Sequence, residues 1–322
     1  MENCIKGTIC RTESKDFYVL PFGGGDQIRC SLRGKFKKDF HLKKDKLYQT
    51  DIAVVGDYVE FDFNVDGTGV IKNIEERRNY LSRKAIKMRG SSYRGERLEQ
   101  IVASNIDNLF VISSVTKPPF NNKVIDRLIV TAESSKIEVI IILNKIDLDE
   151  EGIAQKWVEL YSSIGYNMIT TSKITGEGIL ELKKLLTGKK NLFWGQSGVG
   201  KSSLLNKLYP GINLNTGDIS TYTEKGKHTT VTSLMLKMED DTYIIDTPGI
   251  REIDPYGIRK GDLGHHFAEF SKYINLCRFN SCTHNHEPGC AIIKAVEEEK
   301  ISIERYDSYL RILETIEDDI NF

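Results

Sequence analysis

The chain of 322 residues is poor in three things, and each scarcity excludes something. Six cysteines are too few to staple a chain of this length into a disulfide scaffold, and they fall into two trios, Cys4, Cys10 and Cys30, then Cys277, Cys282 and Cys290. Long apolar runs are missing. The longest, Val139 to Leu143, is far too short to cross a bilayer, and Met1 to Cys10 holds no signal-peptide core. A soluble, cytoplasmic protein without membrane attachment is the expectation. Net charge is nearly absent, −1 from 45 Lys plus Arg against 46 Asp plus Glu, so a nucleic-acid surface must come from local asymmetry. At ~100–200 residues per domain, the length itself excludes a single small module.

Local asymmetry is present. From Arg77 to Arg97 there are eight basic residues (Arg77, Arg78, Arg83, Lys84, Lys87, Arg89, Arg94, Arg97) against one acid, Glu96, a balance of +7. From Ala291 onward four basic and nine acidic residues give −5, expected as a solvated acidic helix. Gly90, Ser91, Ser92 and Gly95 break any apolar period in the basic stretch, so residues 76–104 read as a basic, mobile linker.

Before it, residues 1–75 alternate short β-rich runs with turns: Ile5–Arg11, Phe17–Pro21, Ile28–Leu32, Tyr58–Val65 and Val70–Ile74. Five short strands suggest a small barrel, which an OB-like fold fits and other small barrels fit almost as well, with Lys35–Lys46 as an exposed loop or short helix. Residues 105–254 change character. Buried strands at Leu109–Ile112, Val139–Leu143, Met168–Thr171 and Asn191–Trp194 alternate with helical periods at Val124–Glu133, Trp157–Ile164 and Ile179–Leu186, which predicts a parallel sheet covered on both faces. Residues 255–322 place helical periods around a Cys/His cluster, a third and mostly helical domain.

Gly195-Gln196-Ser197-Gly198-Val199-Gly200-Lys201-Ser202 satisfies the P-loop pattern, after an apolar strand and before a helix opening at Ser203. Glycines let backbone N–H groups close on phosphate oxygens, Lys201 offsets their charge, and Ser202 can ligate Mg²⁺. Asp246-Thr247-Pro248-Gly249 ends the strand Tyr243-Ile244-Ile245, where a P-loop protein needs a carboxylate for the Mg²⁺ shell and a glycine by the γ-phosphate. Asn144-Lys145-Ile146-Asp147 ends another strand. A carboxylate there can accept from guanine N1–H and the 2-amino group, a donor pair adenine lacks, so GTP is favoured over ATP. Thr171-Ser172-Lys173 ends a further strand and can support the purine with a backbone N–H. The base-reading motif precedes the phosphate loop, the reverse of familiar small GTPases, yet one parallel sheet can gather all these loops at its carboxyl edge.

In this rotated order the chain resembles the circularly permuted GTPases, and within them the RsgA family of small-subunit maturation. The resemblance spans Val55-Gly56-Asp57-Tyr58-Val59, Asn144–Asp147, Gly195–Ser203, Gly226-Lys227-His228-Thr229-Thr230, Asp246–Gly249 and Cys277–Cys290 in order. Val231 departs from the threonine common at that position. The resemblance implies an OB barrel (1–75), a permuted GTPase domain (105–254) and a zinc domain (255–322). It also implies GTP hydrolysis stimulated by the small ribosomal subunit, with that subunit and its rRNA, GTP and GDP as partners and a monomer as the expected state. The implied nucleotide and Mg²⁺ contacts are Asn144, Lys145, Asp147, Thr171, Ser172, Lys173, Gly195, Gln196, Ser197, Gly198, Val199, Gly200, Lys201, Ser202, Ser203, Asp246 and Gly249. Lys201, Thr229, Thr230 and His228 form the implied catalytic set.

Ile250 stands where Ras-type enzymes carry the glutamine that orients water, so the free enzyme should be slow. The imidazole beside the switch threonines, together with the resemblance, points to His228 for that role. Cys277, Cys282 and Cys290 with one histidine make a closed, structural zinc set. The residues alone leave His284 and His286 open; the resemblance selects His284. His265 and His266 are expected on a helix surface. Few apolar residues per turn suggest that one zinc ion supplies much of this domain's folding energy, and that chelation unfolds it first. The rival readings are a metabolic P-loop kinase with a structural zinc, which would have no need of the Asn144–Asp147 motif, and a nucleic-acid-binding zinc protein with a degenerate nucleotide site, which the intact Lys201, Ser202 and Asp246 oppose.

Overall fold

The computed structural model describes residues 4–13, 15–34, 36, 51–84, 99–212, 233–246 and 256–316. Alternation of apolar and polar side chains forms the first five strands, β1 (Ile5–Glu13), β2 (Asp16–Pro21), β3 (Ile28–Leu32), β4 (Tyr58–Phe63) and β5 (Gly69–Ile74). Their inward residues, Ile9, Val19, Cys30, Val59, Phe61 and Ile71, make one apolar core. The order β1-β2-β3-β5-β4 closes because β4 also pairs with β1, Ile5 opposite Phe61, so this small sheet is a closed five-strand barrel.

The stretch read as a basic linker is partly ordered. Strands β6 (Tyr80–Lys84) and β7 (Glu99–Ser104) form an antiparallel ribbon with Leu81, Ile101 and Ala103 buried; residues 85–98 lie outside the described residues. The period is hard to see in sequence because β6 is short and ends in two adjacent basic residues, Arg83 and Lys84. Two of the eight counted basic residues are also consumed. Arg77 donates to both carboxylate oxygens of fully buried Asp57 (Nε 2.7 Å, Nη2 2.9 Å), and Arg78 Nη2 donates to Asp107 at 2.6 Å. Ser104 Oγ donates to the same Asp57 at 2.6 Å. Gly56, at φ +96°, runs so close to β7 that an added Cβ would lie 2.0 Å from the Ser104 carbonyl oxygen. The Gly56-Asp57 pair is thus a joint between barrel and ribbon.

The central unit runs β8 (Asn108–Ser114), α1 (Asn122–Ser134), β9 (Glu138–Asn144), α2 (Ile153–Ser163), β10 (Asn167–Thr171), α3 (Ile179–Leu186), β11 (Lys190–Gly195), α4 (Lys201–Leu208), β12 (Leu234–Lys237) and β13 (Tyr243–Asp246). Strand order is β10-β9-β8-β11-β13-β12, parallel except for β12. Period two sorts the side chains to opposite faces. Leu109, Val111, Ile141, Leu143, Leu192 and Trp194 pack with α1 and α2, whereas Phe110, Ile112, Ile140, Ile142 and Phe193 pack with α3 and α4. Both faces are therefore covered, as the sequence predicts. The barrel joins this sheet through β1 and β12, Arg11 opposite Leu234.

The C-terminal unit has 3-10 turns at Leu263–His266, Ala268–Lys272 and Ile274–Leu276, then α5 (Ala291–Glu297) and α6 (Ile303–Thr315). Ser302 caps α6, its hydroxyl accepting from the Glu304 and Arg305 N–H groups. Two expectations fail here. The unit is not apolar-poor, since Leu263, Phe267, Phe270, Ile292, Tyr309 and Ile312 form a buried core. The acidic tail does form a helix, but α6 is not merely solvated: Arg305, Tyr309 and Ile312 are buried against the rest of the chain. Among the described residues no helix is long and apolar enough to cross a membrane.

Candidate functional site

Parallel β8, β9, β10, β11 and β13 bring their carboxyl ends to one edge, and the chain reverses its lateral direction between β8 and β11, which is where such sheets open a crevice. The register carries the motifs with it. Asn144 lies opposite Ser114 and Thr171, Gly195 opposite Ile112, and Asp246 opposite Phe193.

The P-loop leaves β11 at Gly195 and enters α4 at Lys201, with Gln196, Ser197 and Gly198 exposed and Val199 buried. Gly198 and Gly200 adopt φ +83° and +96°, and a Cβ on Gly200 would meet Asn144 Nδ2 at 2.4 Å. Lys201 Nζ stands 3.1 Å from Asp246 Oδ1, whose side chain is 2% exposed. A cation and an acid thus face each other where phosphates and their metal would sit, with Ser202 and Ser203 in the first turn of α4.

The loop after β9 is tied to the P-loop by side chains. Asn144 Nδ2 donates to the Val199 carbonyl at 2.9 Å, and Asn144 Oδ1 accepts from Thr171 Oγ1 at 3.0 Å. Lys145, in the left-handed region at φ 64°, donates from Nζ to the carbonyls of Gly198 and Lys117. Burial, then the neighbouring Lys173, holds the Lys145 ammonium below its ordinary pKa, with Asp147 opposing. Ser172 Oγ donates to Asp147 Oδ1 and accepts from the N–H groups of Ile174 (3.1 Å) and Thr175 (3.2 Å). Asn144 thereby joins two loops. Asp147, exposed at the surface of its loop, is the carboxylate that can face a base.

Sequence reasoning missed two contributors. Lys117 acts through its carbonyl, which no residue pattern announces. The Ser172 hydroxyl fixes Asp147, although only the backbone of its loop was expected to matter. His228, Thr229, Thr230, Gly249 and Ile250, together with the basic segment 85–98, lie outside the described residues.

The Cys277, Cys282, His284 and Cys290 ligand atoms all lie within 4.8 Å of one another. Cys277 Sγ lies 3.5 Å from His284 Nδ1, Cys290 Sγ 3.4 Å from the same nitrogen, and the Cys277 and Cys290 sulfurs are 3.9 Å apart. A tetrahedral zinc with Zn–S about 2.3 Å and Zn–N about 2.0 Å has edges of roughly 3.5–3.8 Å, so the donor set fits that ion. His284 is 2% exposed, whereas His286 is exposed and outside the cluster; His265 and His266, on their 3-10 turn, are also outside it, the first exposed and the second half-buried. The loop is held from beneath. Glu287 accepts from Thr283 N and Oγ1 (both 2.6 Å), Asn285 N (3.0 Å) and His286 N (3.2 Å); against the upward pull of burial these bonds lower its carboxyl to about 2. Burial pushes the Cys282 and Cys290 thiols upward, so a cation bound there must displace protons.

Comparison with known proteins agrees with this layout. The sequence profile of the RsgA GTPase family matches residues 74–256. The chain is 38% identical over 322 residues to the small ribosomal subunit biogenesis GTPase RsgA of Chlorobaculum parvum, covering 99% of this chain and 100% of that one. It is 39% identical to the protein of the same name from Chlorobaculum tepidum, at 98% and 99% coverage. Among solved structures, YjeQ from Thermotoga maritima superposes with TM-score 0.74 at 32% identity, covering 97% of this chain and 98% of that one. YloQ, described as a circularly permuted GTPase, superposes with TM-score 0.69 at 28% identity, at 98% and 95% coverage. With its P-loop following rather than preceding the base loop, and with likeness along its whole length, the chain belongs to the RsgA GTPase family.

Proposed function

We propose that this GTPase acts in biogenesis of the small ribosomal subunit, binding that subunit and its rRNA and hydrolysing GTP to GDP and phosphate faster when bound to it. The observation that carries the nucleotide part is the bonding of Asn144 to the Val199 carbonyl and of Lys145 to the Gly198 carbonyl, which joins a base loop to a phosphate loop. In this reading the Asp147 carboxylate accepts from guanine N1–H and the 2-amino group. The P-loop amides and Lys201 hold the phosphates, while Ser202 and Asp246 serve the Mg²⁺ that neutralises developing charge. The Thr229 or Thr230 hydroxyl closes on the γ-phosphate side and His228 orients the attacking water. Ile250 offers that water no hydrogen bond, so the subunit must complete the arrangement.

The barrel, whose strand order β1-β2-β3-β5-β4 suits an OB fold, and the remaining basic residues of 83–97 supply the RNA-binding surface. Cys277, Cys282, His284 and Cys290 hold one structural zinc. The domains are 1–75, 105–254 and 255–322, and the protein works as a cytoplasmic monomer. The test is hydrolysis of GTP against ATP by the purified protein, alone, with small subunits and with large subunits. Slow, GTP-selective turnover that rises only with small subunits is expected; turnover that prefers ATP or ignores ribosomes would refute the reading.

A further inference from the structure

Among the described residues Arg305, on α6, is the largest side chain withdrawn from solvent. Its Nε and Nη2 donate to the two Glu269 oxygens at 2.7 and 3.1 Å, and its Nη1 donates to Asp126 Oδ1 of α1 at 2.5 Å. Tyr161 of α2 donates to the same Asp126 oxygen at 2.7 Å, and the guanidinium lies 4.6 Å from the Phe267 ring centroid. Such a cluster costs desolvation that apolar side chains would avoid, so position explains it better than stability does.

What it positions is visible in the first two turns of α6 and the first turn of α1. Tyr306 OH donates to the His284 carbonyl and Tyr309 OH to the Thr283 carbonyl, each at 2.7 Å, so α6 supports the metal loop. Asn122, at the start of α1, donates from Nδ2 to Glu304 O at 3.2 Å and Ser308 Oγ at 3.1 Å. The loop before α1 carries Lys117, whose carbonyl shares Lys145 Nζ with Gly198 of the P-loop. Ordering either end restricts the same two helices, so ordering the other end then costs less.

We infer that Arg305 and Asn122 link the two sites thermodynamically: guanine nucleotide at the sheet edge tightens zinc binding at the cysteine cluster, and zinc tightens nucleotide binding by the same factor. The inference rests on the reading above that the chain holds both ligands. Its test is the zinc affinity of the full-length protein, from equilibrium competition with a chelator, with and without saturating GDP, after mantGDP fluorescence has established nucleotide binding. GDP is expected to raise zinc affinity about fivefold or more. In Arg305→Met the affinity falls and the ratio with and without GDP approaches one. A purely structural Arg305 would weaken zinc equally in both conditions and leave the ratio intact. Should Arg305→Met fail to fold, Asn122→Ala, which removes only the tie between the helix ends, gives the same ratio test. A wild-type ratio within twofold of one, or an undiminished ratio in the folded variants, overturns the linkage. Failure of mantGDP to bind would overturn the nucleotide reading itself and the linkage with it.

Discussion

Replacing Asp57 by alanine should detach the barrel from its neighbours before the nucleotide-binding sheet unfolds. The carboxylate has no solvent exposure and accepts from Arg77 Nε at 2.7 Å, Arg77 Nη2 and Val54 N at 2.9 Å, and Ser104 Oγ at 2.6 Å. Alanine removes all four acceptor contacts and leaves Arg77, with a side chain 16% exposed, the Ser104 hydroxyl and the Val54 N–H around a space with no acceptor. Hydrogen bonds to a charged group contribute about 1.5–3 kcal/mol each, but breaking one partner of a buried pair costs about 3–5 kcal/mol in all, because hydration is partly recovered. A loss at the lower end, about 3 kcal/mol, is expected because Arg77 reaches some water. Both tryptophans of the chain, Trp157 and Trp194, pack in the core of the nucleotide-binding sheet, so their fluorescence reports that unit, whereas far-UV circular dichroism reports the barrel as well. Urea titration should give a dichroism transition that begins at lower urea than the fluorescence transition, with Asp57→Asn between the two. Coincident transitions with a midpoint stability within about 0.5 kcal/mol of wild type would refute the argument.

Ser172→Ala should free the Asp147 carboxylate and two loop N–H groups, weakening mantGDP binding about tenfold, roughly 1.4 kcal/mol, while zinc content by atomic absorption stays at wild type. Hydrogen bonds from Lys156 and then Ser302 depress the Glu304 carboxyl to about 2, so its contribution is complete above the unfolded value near 4.5 and fades as pH falls toward 2; Glu304→Gln should flatten urea stability between pH 4.5 and 3 relative to wild type. Burial lowers Lys190 to about 8 from 10.5. Between those values the unfolded chain holds the extra proton, so wild-type stability should gain with rising pH relative to Lys190→Met, and parallel profiles would exclude Lys190 as the source. Chelation should raise hydrogen exchange across residues 277–290 first and then across the opening turns of α6, whose Tyr306 and Tyr309 donate to the metal loop, while the apolar core around Ile312 keeps the rest of the helix protected longest.

The central sheet is legible in sequence because its strands are buried on both faces and read as unbroken apolar runs, Val139 to Leu143 above all. Ile179 to Leu186 is a helix at the expected bounds, since its apolar period is clean and Gly178 opens it. β12 escapes because Leu234–Lys237 is four residues long, and β6 because Arg83 and Lys84 make it resemble its basic surroundings. Within the site the motifs are visible because their chemistry fixes residue type and the spacing inside each motif, whatever the order in which the motifs follow one another. The ties between them are not: Lys117 contributes a carbonyl, and Asn144 has the residue type of a base reader while bonding to protein on both sides. The buried Arg305 cluster is equally hidden, since Asp126, Glu269 and Arg305 look like ordinary surface charges until three distant segments meet.

Antiparallel β12 places Leu234 opposite Asp246 on one side and opposite Arg11 of the barrel on the other. The acid facing Lys201 therefore stands on a transverse rung whose far end is the barrel wall. Four paired residues of β12 and β13, and one registered pair between β12 and β1, separate the phosphate edge from that wall. A sideways displacement of Asp246 is therefore felt at Leu234 and, through it, at Arg11, so the barrel wall lies two strands from the place where phosphate would leave.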